Sequence, residues 1–157
     1  MAAIRESVEI ARRPEEVFEY LDDLARHGEW QGQIVSVRVD TEGPTKVGTR
    51  STERRRAGGR EMTVTYEITE HSPPRSFAFR GVNGPIRVLG KGSVEPVGDG
   101  SRSRVTIELD FTGHGFGKLL LPLARSQASK QVPKDQQRLK ELLESGAAAS
   151  TSSDAQI

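Results

Sequence analysis

A chain of 157 residues is about one domain long and can bury a substantial core. Its 23 basic and 22 acidic residues leave a formal charge of +1, too weak a field to argue for nucleic acid or an anionic membrane. With no cysteine, disulfides, thiolate nucleophiles and zinc-thiolate sites are excluded.

No run approaches the roughly 20 apolar residues of a spanning helix. Residues 1–12 lack the apolar core of a signal peptide, so we expect a cytoplasmic protein without stable membrane insertion. Ile4, Val8 and Ile10 fall at even positions among charged or small neighbours and predict a half-buried first strand. Pro14 suits a first helical turn, and Glu15 and Glu16 stand where the helix dipole favours negative charge. Val17, Phe18, Leu21 and Leu24 mark that helix's buried face. Residues 25–33 read as a second short helix or turn and carry the only tryptophan, Trp30.

From there the period changes to two. Val35, Val37 and Val39 alternate, residues 48–56 make a polar strand, and Ala57-Gly58-Gly59 forms a hairpin turn. Met62, Val64, Tyr66 and Ile68 give the cleanest alternation, ended by Ser72-Pro73-Pro74. Phe77 and Phe79 begin the next strand. Residues 87–96 follow Asn83-Gly84-Pro85, and Val105, Ile107, Leu109 and Phe111 close the series. One-face alternation at about ten-residue spacing means an antiparallel sheet with one wet side. The dry side needs a cover, and residues 116–145, with helical spacing, are the candidate. Residues 146–157 are small and polar and predict a disordered tail, which bounds the domain at 1–145.

Four stretches together carry a family resemblance. They are residues 11–30, with Pro14-Glu15-Glu16-Val17-Phe18 and Trp30; Val47-Gly48-Thr49-Arg50; residues 66–79, from Tyr66 to Phe79; and Arg138-Leu139-Lys140-Glu141-Leu142-Leu143-Glu144. Over residues 3–145 the chain resembles the START/polyketide cyclase-like (SRPBCC) superfamily. The resemblance implies an α+β helix-grip fold: an antiparallel seven-stranded sheet wrapped around a long C-terminal helix, with two short helices after the first strand. Lipid carriers, cyclases, hydrolases and co-chaperone domains share this fold, so it does not assign chemistry.

On the long helix, Leu120, Leu123, Ala124, Gln127, Ala128, Gln131, Asp135, Leu139 and Leu142 share one broad face. Its leucine-rich ends are expected to be buried, while the small and amide middle leaves volume and polar handles for a ligand. The competing readings are an exposed middle turn or a kink at Pro133. In-facing strand residues would be Met62, Val64, Tyr66, Phe77, Phe79, Val88, Ile107, Leu109 and Phe111. Gly90 and Gly92 either thin the wall beside them or mark a bulge. The expected ligand-binding set is Trp30, Val64, Tyr66, Phe77, Phe79, Phe111, Phe116, Leu120, Ala124, Gln127 and Gln131. The resemblance puts Trp30 at the pocket rim; a core plug is the alternative.

No cofactor is expected. His27, His71 and His114 are too far apart in sequence to suggest a metal site. His71 is expected to be solvated in its turn, and His114 lies on a glycine-rich loop able to close over a pocket mouth. Arg54-Arg55-Arg56 and Arg60, flanked by Glu53 and Glu61 without interleaved aromatics, read as a solvated hairpin rather than a nucleic-acid surface.

Three functions compete. The first is binding or transport of a small hydrophobic molecule such as a lipid, quinone or polyketide-like compound. The second is a polyketide cyclase/aromatase-type enzyme, for which Tyr66, His114 and Asp135 are the acid–base candidates. The third is a co-chaperone-like interaction domain, which the Thr, Glu and Arg of the outward positions disfavour. A homodimer is left open.

Overall fold

The computed structural model describes residues 4–146. In chain order these form β1 (Ile4–Ile10), α1 (Pro14–Asp22), a 3₁₀ segment (Leu24–Glu29), β2 (Ile34–Val39), β3 (Arg50–Ala57), β4 (Arg60–Ser72), β5 (Ser76–Gly81), β6 (Ile86–Val97), β7 (Arg102–Gly113) and α2 (Gly117–Ser145). The expected polar tail, from Ala147 onward, lies outside the described residues. All seven strands join one antiparallel sheet in the order β1-β7-β6-β5-β4-β3-β2. The sheet curls around α2, which lies against β1, β7 and β6. This is a helix-grip fold of the α+β class.

Local chemistry explains the elements. Pro14 opens α1 with Glu15 and Glu16 in its first turn, and the helix buries Val17, Phe18, Tyr20 and Leu21. Gly58 and Gly59 hold φ of 59° and 78°, the left-handed pair that a two-residue hairpin needs, and they pair Ala57 with Arg60. That turn sets Arg55 opposite Met62, Glu53 opposite Val64 and Ser51 opposite Tyr66. At the far end, Gly146 caps α2 at φ 78° and its N–H reaches the Leu143 carbonyl.

The closed part of the core joins Ile10, Val94, Val105 and Ile107 of the sheet to α1, Trp30, Leu139 and Leu143. Burying each large apolar side chain contributes about 1.5–3 kcal/mol. Trp30 therefore plugs the core instead of standing at a rim. Its indole N–H has no hydrogen-bond partner among the described residues.

Two sequence expectations about the sheet interior are corrected. Gly90 and Gly92 neither thin the wall nor mark a bulge: the β5–β6 register is regular and sets Phe79 opposite Gly90 and Phe77 opposite Gly92. A Cβ on Gly90 would stand 2.1 Å from the Phe79 ring, and one on Gly92 would stand 2.3 Å from the Phe77 ring. The glycines are seats for two stacked rings, whose centroids lie 6.3 Å apart. The hairpin is not wholly solvated either, because Arg55 and Glu53 lie on the concave face and are largely buried.

The helix face also differs from its expected one. Asp135, Gln136, Leu139 and Leu143 are buried, and Leu121 and Val132 are half-buried, whereas Leu120 and Leu123 are exposed. The sheet-facing stripe is thus rotated by most of one residue step, about 100°. Gln136 explains part of this rotation: its Nε2 donates to the Glu6 carbonyl of β1 at 2.9 Å, which locks that side inward. Pro122 and Pro133 both fall inside a continuous helix, at exposed positions where the missing N–H faces away from the sheet contact.

Candidate ligand-binding site

The concave face has two unequal halves. Under the carboxyl half of α2 it is tightly closed. Under the amino half it is open: Met62 and Leu120 are exposed, while Val64, Tyr66, Phe77, Phe79, Val88, Leu109 and Phe111 are only half-buried. Their rings are ordered against one another. Phe77 meets Phe18 of α1 edge-on at 6.1 Å, and Tyr66 meets Phe79 edge-on at 5.7 Å. An apolar surface arranged this way and left half-covered is a candidate floor for a ligand.

Polar groups converge along the β3 side of that floor. Ser51 and Glu53 are buried on its concave face. Arg55 Nη1 donates to Glu53 Oε2 at 3.1 Å and to Gln31 Oε1 at 3.0 Å. Burial works against the Arg55 charge, but Tyr66, Glu53 and Asp135 outweigh it and hold the guanidinium more firmly protonated than usual. Burial pushes the Tyr66 phenol up to about 12, with the charge and hydrogen bond of Arg55 pulling partly back.

Facing them from α2, Asp135 Oδ1 accepts from the Gly32 N–H at 3.0 Å and from Gln131 Nε2 at 2.8 Å. Burial nevertheless raises the Asp135 carboxyl above its ordinary range. The hairpin tip closes this side of the cleft, since a Cβ on Gly58 would stand 3.1 Å from Gln127 Nε2.

The expected site residues therefore separate into groups. Val64, Tyr66, Phe77, Phe79 and Phe111 line the sheet floor. Ala124, Gln127 and Gln131 are half-buried on the helix, with Gln131 held by Asp135. Leu120 and Phe116 are exposed. Trp30 belongs to the closed core. His114 is exposed on its loop, where its backbone N–H donates to the Pro85 carbonyl at 2.8 Å.

His71 is not solvated as expected: its Nε2 lies 2.8 Å from Asp22 Oδ1, and its ring packs on Phe18. His27 is half-buried and donates from Nε2 to the Leu21 carbonyl, and desolvation lowers its pKa. Among the described residues no three His, Cys, Asp or Glu side chains are placed to hold a metal ion.

Arg55 and Glu53 are the functional candidates that sequence reasoning missed. The signal was available. Residues directly opposed in a hairpin share a face, so a turn at Gly58-Gly59 with Met62, Val64 and Tyr66 inward carries Arg55, Glu53 and Ser51 inward as well.

Two further depressions lie elsewhere. One of about 540 Å³ runs between α1 and the loop after β2, lined by Asp22, Leu24, Val39 and Pro44. The other, about 380 Å³, includes Thr69, Ala78, Leu89 and Glu108 on the outer side of the sheet.

Solved structures share this architecture. The Zhui aromatase/cyclase from a Streptomyces species is 16% identical with a TM-score of 0.79, over 92% of this chain and 94% of that one. A START superfamily protein from Mycobacterium smegmatis is 13% identical with a TM-score of 0.74, over 90% of this chain and 97% of that one. The di-domain ARO/CYC BexL is 17% identical with a TM-score of 0.73, and although 92% of this chain is matched it spans only 47% of BexL. At these identities the likeness is one of fold. Comparison with curated proteins finds no match. The family model for polyketide cyclase/dehydrase and lipid transport proteins matches residues 1–144, so the chain belongs to that family.

Proposed function

We propose that this protein binds a small, largely apolar molecule carrying an oxygen acceptor, in the cleft between the amino half of α2 and strands β3 to β6. One observation carries the reading: Tyr66, Phe77 and Phe79 form an ordered aromatic floor that the protein leaves half-covered, with the Arg55 guanidinium beside it. The floor offers dispersion and apolar burial, and Arg55 and Tyr66 offer oriented donors to one end of the ligand. Native mass spectrometry of the purified protein, together with titration of anilinonaphthalene sulfonate followed by fluorescence, tests it. Wild type binds the probe; Phe79→Trp fills the cleft and weakens binding, and Arg55→Leu weakens the anionic probe more than a neutral aromatic one. A wild-type protein that binds neither probe and carries no apolar molecule would sink the proposal.

A cyclase-type reaction in the same cleft is the second reading, and Asp135 favours it. Its carboxyl has a raised pKa close to the positive charge of Arg55. Aldol closure requires a base to take a proton from a methylene carbon and a positive group to hold the enolate oxygen as the new carbon–carbon bond forms. Asp135 suits the first role and Arg55 the second. Incubation with an aromatic-polyketide precursor separates the two readings: turnover lost in Asp135→Asn supports the enzyme, whereas binding without turnover leaves a carrier.

A further inference from the structure

The amino half of α2 is apolar where it meets solvent. Phe116 is 77% exposed, Leu119 82% and Leu123 57%, and with Leu120 they follow the i, i+3, i+4, i+7 spacing of one helix face. Singly exposed leucines need no explanation, but four large apolar groups on one stripe make a surface. That stripe continues in a different chemistry. Lys130 and Lys134 lie on the same side two and three turns beyond Leu123, while Lys118 and Arg125 project from the opposite side of the helix.

Charge along the chain is segregated here. Between Asp110 and Asp135 there are four cations, Lys118, Arg125, Lys130 and Lys134, and no acidic residue. All four are exposed. None of them takes part in an ion pair among the described residues, although arginines elsewhere on the surface pair repeatedly, as Arg54 and Arg56 do with Glu61. The overall +1 conceals this patch because acidic residues elsewhere cancel it.

We propose that this helix face is a docking surface for an anionic lipid bilayer, into which Phe116, Leu119 and Leu123 dip while Lys130 and Lys134 engage the phosphate headgroups. Exposed apolar groups that can enter the acyl boundary, with unpaired cations beside them to meet anionic headgroups, combine the two forces that hold a peripheral protein on a bilayer. A second copy of this chain fits less well. A parallel two-fold contact sets lysine against lysine, an antiparallel one centred on the leucines leaves Lys130 and Lys134 without partners, and the segment holds no acid to answer them. No helix among the described residues is long and apolar enough to span a bilayer.

Co-sedimentation of the full chain with unilamellar vesicles tests the surface and needs no cleft ligand, so its outcome is independent of the binding proposal above. We expect the protein to pellet with mixed phosphatidylglycerol and phosphatidylcholine vesicles at low salt, and to stay in solution with phosphatidylcholine alone. Leu119→Ser, and separately Lys130→Glu with Lys134→Glu, should each lower the partition by about tenfold while circular dichroism stays native. Three results overturn the proposal: no binding to the anionic vesicles, binding that both variants leave unchanged, or a dimer in sedimentation equilibrium that Leu119→Ser dissolves.

Discussion

Arg55 Nη1 donates to Glu53 Oε2 at 3.1 Å along the concave face of β3, with side-chain exposures of only 16% and 5%. The two are next neighbours on one face of the strand, so their pairing needs no long-range closure, but it places a salt bridge against an apolar floor. Removing one partner leaves the other charged and poorly solvated, at about 3–5 kcal/mol when burial is complete. The residual exposure of Arg55 lowers this to about 2–3 kcal/mol.

Urea denaturation of Arg55→Leu should show that loss. The double replacement Glu53→Leu with Arg55→Leu should recover most of it, because the unpaired charge is gone. A single variant as stable as wild type would mean that water reaches the pair freely.

Gly90 and Gly92 make a second stability prediction. Alanine at either position sets a methyl at 2.1–2.3 Å from a Phe ring, well inside contact distance. Each substitution should cost about 1–3 kcal/mol through the displaced ring. Phe79→Leu should relieve Gly90→Ala but not Gly92→Ala. Such pair-specific coupling in a double-mutant cycle checks the cross-strand seating.

The order and type of elements were legible because each carried its own local signal: Pro14 before two glutamates, Gly58-Gly59 at the turn, and valines and phenylalanines at every second position. The orientation of Arg55 was also legible, through hairpin pairing, but three consecutive arginines resembled a solvated edge and composition prevailed over geometry. The facing of α2 was not readable in the same way. Its rotation is set by Leu139 and Leu143 at one end and by Gln136 reaching a β1 carbonyl, and a buried amide looks in sequence like any surface glutamine. Leucines at 120 and 123 invited burial that the sheet does not supply. Gly90 and Gly92 showed only that side chains were missing; Phe77 and Phe79, one strand away, supply the reason.

Asp135 predicts a pH effect of definite sign. Its native pKa lies above the ordinary 3.8 because of burial, so the folded state holds this proton more tightly than the unfolded chain does. Between 3.8 and the higher native value, the contribution of this group to stability therefore falls as pH rises. The carboxylates of Asp40, Glu67 and Glu144, exposed or half-buried and with lowered pKa values, act in the opposite direction. The signature is accordingly a difference. Asp135→Asn keeps an oxygen to accept from the Gly32 N–H and Gln131, and wild type minus variant stability should decline across that window. A rising difference would mean that the Gly32 N–H, Gln131 and Arg55 favour the ionised carboxylate more than burial opposes it, while a flat one would mean a well-solvated group.

The amino end of α2 is held to the sheet by close backbone contact. A Cβ on Gly117 would lie 2.0 Å from the Pro85 carbonyl oxygen, and one on Gly113 would lie 2.6 Å from the Lys118 backbone. The His114 N–H to Pro85 bond sits in the same place. Neither obstacle is a flexible side chain, so Gly117→Ala must push the helix start away from β6. Since the amino half of α2 buries little apolar surface of its own, this clamp holds it over the cleft. We expect Gly117→Ala to speed amide hydrogen exchange across residues 114–124 while Leu139 and Leu143 keep the protection of the closed core. Lys118→Ala, at an exposed position beside the clamp, should leave both regions as they are. If Gly117→Ala instead loosened the whole of α2 together, the helix would be one cooperative unit and the cleft could not open without unfolding its core.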